Sequence, residues 1–195
     1  MRIVGRVAVT ALLACTAVLA GATLSAGAAE DVLDAIEAGR KAYQAGELGN
    51  AKQALERAAQ LVGQKAAESF AKLLPPALPG WTAEEPQLAT RAAAGFAAAT
   101  AVRGYIKANG DNLEVQITAD AAIITQVAPL FANANAVGAQ AKIVTIGSHR
   151  AMVNEDGDIH MIVDNRYLVS VAGSGSGIDK MAYLRAVDAA KLSKL

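Results

Sequence analysis

The chain has 195 residues, with 18 basic and 18 acidic side chains, 53% apolar but only 4% aromatic residues, and one cysteine. Such a composition belongs to a globular chain rather than a disordered one, and a zero formal charge excludes the basic footprint of a nucleic-acid binder. Alanine supplies much of the apolar fraction, so a core of small side chains is expected.

Arg2 and Arg6 precede an apolar run over residues 7–24, which ends in Ser25-Ala26-Gly27-Ala28-Ala29 before the acidic Glu30 and Asp31. A basic region, an apolar region and a small-residue cleavage site, in that order, make a secretory signal peptide. Residues 1–29 are therefore expected to be removed on export, leaving the mature chain in the periplasm. An uncleaved anchor is the competing reading, since the run approaches the length of a spanning helix. The small-residue end favours cleavage. Cys15, in Leu12-Leu13-Ala14-Cys15, faintly resembles a lipoprotein processing site, and membrane association is expected only if it is lipidated. Without it the mature chain has no thiol, which excludes disulfides, thiol catalysis and thiolate metal sites.

Residues 30–74 carry two helical patterns, interrupted at Gly46-Glu47 and stopped by Pro75-Pro76. Gly39, Tyr43, Gly46, Leu48, Ala51, Leu55, Ala58 and Leu61 fall at or near the characteristic places of a tetratricopeptide repeat, which this hairpin resembles. Ala35 and Gly63 replace the repeat's tryptophan and proline, which lets two helices approach closely. A single copy cannot stack as a solenoid and reads as a docking hairpin, with Tyr43 and Leu48 as contact candidates.

Residues 75–80 form a proline-rich linker, and Trp81 is expected to plug the edge of the core that follows. Residues 92–99, with Gly95 and Phe96, read as strand, helical turn or apolar loop; if exposed, Phe96 is a third contact candidate. Strands are expected over 102–107, 112–118, 142–146, 150–153, 159–163 and 167–172. Asn109-Gly110 is a hairpin turn, Asp120 caps a helix containing Pro129, and a helix from 178 to about 192 closes the chain. Residues 81–195 thus read as an α+β domain, an antiparallel sheet of about five or six strands with helices on one face.

With Leu78-Pro79-Gly80-Trp81 at its start and Tyr183-Leu184-Arg185-Ala186-Val187-Asp188 at its end, this part resembles a group of small, uncharacterised exported bacterial proteins. More distantly its layout looks like the domain of PsbP-like periplasmic proteins. Neither resemblance implies a catalytic residue, a ligand or a cofactor.

Gly173-Ser174-Gly175-Ser176-Gly177 lies where a phosphate loop would lie, but it lacks Gly-x-x-x-x-Gly-Lys, and Ile178 takes the third glycine position of the dinucleotide fingerprint. A flexible connector, with Ser174 or Ser176 capping the next helix, is the simpler reading. Neither serine sits in Gly-x-Ser-x-Gly. Asn154-Glu155-Asp156-Gly157-Asp158 reads as a turn, since a calcium loop counted from Gly157 would put Met152 and Val163 at ligand positions. With Asp156-Gly157 as a two-residue turn, Val153 faces His160 and His149 faces Asp164. That separates the histidines by roughly 13 Å, too far to share a metal, and makes His149 and Asp164 a pH-sensitive pair. The function expected is non-enzymatic binding of an envelope protein, with no cofactor or metal; the alternative is a carrier for an apolar ligand or lipid in the α+β domain.

Overall fold

The structure is a computed structural model that describes residues 24–93, 96–132 and 141–195. Residues 1–23, with Cys15 and most of the expected signal peptide, lie outside the described residues. Helices α1 (Leu24–Gln44) and α2 (Leu48–Ala71) form the expected antiparallel hairpin, joined by a turn in which Gly46 has φ +76°. Their seam repeats at three- and four-residue steps, Val32, Ala35, Gly39 and Ala42 against Ala51, Ala54, Ala58 and Leu61. Small residues at these places bring the backbones close. A Cβ on Gly39 would stand 3.0 Å from the Leu55 side chain.

All the strands lie in one antiparallel sheet: β1 (Trp81–Ala83), β2 (Gln87–Ala93), β3 (Phe96–Lys107), β4 (Asn112–Ala119), β5 (Ala141–Ile146), β6 (His149–Asn154), β7 (Ile159–Val163) and β8 (Tyr167–Gly173). Their spatial order is β1-β3-β4-β8-β7-β6-β5, with β2 continuing β1 along the same edge of β3. The fold is α+β as expected, and the sheet has eight strands rather than five or six because β1 and β2 add to it, while β3 begins earlier than expected, at Phe96. Helices α3 (Ala121–Ala132), α4 (Gly177–Ala186) and α5 (Ala189–Leu192) complete the fold. The expected closing helix is two helices, since Val187 turns to ψ 125° and the Asp188 side chain accepts the Lys191 N–H to start afresh.

One sheet face carries Ala101, Tyr105, Val115, Ile117, Met161 and Val169 into a core closed by Tyr183, Leu184 and Leu192 from the C-terminal helices. The end of α2 and the turn after it belong to that core: Ala67, Phe70 and Leu74 are buried in it, and Phe70 meets Tyr167 edge-on at 5.6 Å. Trp81 is buried as expected, edge-on to Tyr183, which in turn tilts against Tyr105 at 4.3 Å. The proline segment is pinned rather than free. The Tyr105 hydroxyl donates to the Pro75 carbonyl at 2.7 Å, and the Leu78 N–H donates to the Tyr183 hydroxyl at 3.1 Å. Burial pushes the Tyr105 hydroxyl up to about 12, so it remains a donor at every ordinary pH.

Candidate functional site

Tyr43 and Leu48 project from the hairpin, 69% and 65% exposed. They are not isolated. With the buried seam residues at the a and d places of a heptad, Ile36 and Tyr43 on α1 and Leu48, Leu55 and Val62 on α2 all fall at e, and Leu33 lies beside them at b. In an antiparallel pair the two e rows lie on the same side of the seam, so these six exposed apolar side chains form one stripe. Sequence reading stopped at Tyr43 and Leu48; the seven-residue steps 36–43 and 48–55–62 were the signal for the others. Phe96 opens β3 opposite Ala93, and its side chain lies outside what the structure describes.

At Val62 the stripe meets a groove of about 720 Å³ between α2, the start of α3 and the β7–β8 turn. Phe70, Ala98, Ala119, Ile124 and Tyr167 make its apolar walls, and Lys65 and Arg166 are the cations among its described lining residues. Asp120 also lines it, but Asp120 is buried and its Oδ1 accepts the N–H groups of Ala122 and Ile123, capping α3 as expected.

The glycine loop is structural. The N–H groups of Gly173, Ser174 and Gly175 are taken by Asp158 Oδ1, Asn112 Oδ1 and the Asn112 carbonyl, so they are not available to an anion. Nor is the loop a flexible connector, since a Cβ on Gly175 would stand 2.8 Å from Leu113. Ser176 caps α4 by accepting the Asp179 N–H, and Ser174 accepts the Asn112 N–H. Asp179 is held below the usual carboxylate range first by Ser176 and then by Lys107, whose Nζ lies 2.9 Å away and sits over the Trp81 ring.

The expected register of the histidine strands is one residue off. The β6–β7 loop is longer than two residues, closing where the Asn154 N–H donates to the Asp158 carbonyl, so Met152 faces His160 and Val153 faces Ile159. Because side chains alternate, one residue of slip removes Asp164 from the place opposite His149. Asp164 lies in the β7–β8 turn with φ 54° and pairs with Arg166 at 3.7 Å. It and His149 line one shallow groove, with no hydrogen bond or ion pair joining them among the described residues. His160 instead shares a 2.9 Å hydrogen bond through Nδ1 with the Ser170 hydroxyl on β8, and burial holds its pKa below the usual imidazole value while Asp158 pulls it up. Asp158 also receives Lys180 Nζ at 2.7 Å, and Lys180 is a lysine with only 3% of its side chain exposed.

Among the described residues no group of three or more histidine, cysteine or carboxylate side chains is placed to hold a metal ion, and no helix is long and apolar enough to cross a membrane. Comparison with protein-family models, with curated proteins and with solved structures finds no match to this chain.

Proposed function

We propose that this chain is an exported, periplasmic accessory protein without catalytic activity that binds another envelope protein through the α1–α2 hairpin. The observation that carries the reading is the stripe of Leu33, Ile36, Tyr43, Leu48, Leu55 and Val62, whose large apolar side chains face water while alanine and glycine fill the seam beneath them. Contiguous exposed apolar surface of this kind marks interaction sites. Its heptad spacing suits an amphipathic helix of the partner, laid along the hairpin with its own apolar residues between the two e rows. Export rests on the order of Arg2, Arg6, the apolar run and the alanine-rich cleavage site.

The test is a cross-linked capture from the native envelope with the intact protein and with Tyr43→Ser combined with Leu55→Ser. Both residues are exposed, so the double variant is expected to keep its fold to within about 1 kcal/mol. One dominant protein captured by the wild type and lost with the variant is the expected result. Identical sets from the two proteins sink the reading. Mass spectrometry of the recovered chain tests export in the same experiment, the expected N-terminus being Ala29 or Glu30.

A further inference from the structure

We propose that the groove between α2 and the start of α3 binds the carboxylate form of a single-chain lipid, a free fatty acid. This ligand site shares only Val62 with the protein-contact stripe and does not depend on partner binding there. Its volume of about 720 Å³ falls within the roughly 300–1,000 Å³ span of small-molecule sites. Small side chains create the space: Ala66, Ala98, Ala119 and Ala122 line it beside Phe70, Ile124 and Tyr167. Such walls accept a hydrocarbon chain, and the polar side chains beside them, Lys65, Ser69, Asp120, Asn165 and Arg166, are outnumbered by apolar ones.

Charge selects the headgroup. Lys65 enters from α2 and Arg166 from the β7–β8 turn, two cations from separate elements on one apolar groove. Asp120 is the one acidic side chain among the described lining residues, and it is buried and engaged with the N-terminus of α3. The partners that Lys65 and Arg166 now have, Glu68 at 3.2 Å and Asp164 at 3.7 Å, do not line the groove. Pairs as exposed as these are weak, so a ligand carboxylate can compete for both cations. Arg166 is also held over the Tyr167 ring at 5.0 Å, which keeps its guanidinium beside the apolar wall.

The experiment uses the purified protein, a dansyl-labelled fatty acid as fluorescent probe, and palmitate or its methyl ester as competitor. Palmitate should displace the probe about tenfold better than the ester, the size expected from two solvent-exposed charge contacts. Lys65→Met combined with Arg166→Leu should weaken palmitate to the level of the ester and leave the ester unchanged. Ala122→Trp, at an exposed position on the groove, should abolish binding of both without disturbing the core. Equal displacement by acid and ester in the wild type overturns the headgroup assignment. Absence of probe binding, or binding that survives Ala122→Trp, overturns the site.

Discussion

Along α1 the small side chains lie inside and the large ones outside; in the sheet and its C-terminal helices the order is reversed. The α1–α2 seam buries Ala35, Ala51 and Ala58, whereas Tyr43, Leu48 and Leu55 are exposed. On the sheet, Tyr105, Leu113, Ile117, Tyr183 and Leu184 are wholly or almost wholly buried. Burial of apolar area is what stabilises, at roughly 25 cal/mol for each Å². The seam therefore contributes little per residue. A layer that hides its small residues and shows its large ones is better built for a partner than for itself.

α2 belongs to both regimes, and that sets the largest expected effect. Its first half meets α1, while Ala67, Phe70 and Leu74 beyond it are part of the sheet's core. Removing residues through Gly46 should leave a protein that still unfolds cooperatively, with a modest loss of stability. Removing residues through Leu74 should leave a chain without a cooperative transition that binds hydrophobic dyes. Losing a buried phenylalanine alone costs about 3–5 kcal/mol, against a total stability of about 5–15 kcal/mol. Circular dichroism during thermal melts checks both truncations. If the longer truncation folds as well as the shorter, the sheet does not need α2, and the two regions are independent units.

The next effect lies within the sheet region, where Lys180 of α4 reaches Asp158 at 2.7 Å and the Asp156 carbonyl at 3.4 Å. Asp158→Ala would strand a buried ammonium with one long hydrogen bond, at an expected cost of about 2–3 kcal/mol, reduced from the fully buried case because Asp158 is partly exposed. Lys180→Met removes the charge along with its partner's role and should cost less than Asp158→Ala. Denaturant melts of the two variants decide the order. Equal losses would mean that packing of the lysine stem, and not its charge, is what α4 relies on.

How much of this was legible follows the same division. Strands β4 and β8 carry Leu113, Val115 and Ile117, and Tyr167, Val169 and Val171, in alternation, and β5 to β7 are short runs set off by turn residues, so all five could be read directly. Strands β1 and β2 could not: Trp81-Thr82-Ala83 is too short to show a period, and in Gln87–Ala93 alanine occupies both faces. Gly173–Gly177 looked like a flexible connector because glycine signals freedom, yet Gly175 is there because Leu113 leaves no room for a Cβ. The stripe was half legible, since Tyr43, Leu48 and Leu55 stand at or near the repeat-like positions while Leu33, Ile36 and Val62 join them only once burial fixes the heptad. The groove was not legible at all, because it joins α2, α3 and the β7–β8 turn, segments far apart in the chain.

The smallest effect expected is the pH dependence of stability that the buried His160 contributes. Burial lowers the pKa of His160 below its ordinary 6.5, so the unfolded chain takes up the proton at higher pH than the native one does. Stability from this group is therefore complete above about 6.5 and declines as pH falls from there toward the lowered native value. The carboxylates that are held low, Asp179 and Asp188, act in the same sense but only at more acid pH, where their protonation removes the hydrogen bonds and charge contacts that Ser176, Lys107 and Lys191 supply. A melting temperature that drops between about pH 7 and pH 5 in the wild type should be flatter in His160→Gln, which can still bond to Ser170. An identical drop in His160→Gln would mean that the buried imidazole is not what makes the protein less stable below neutral pH.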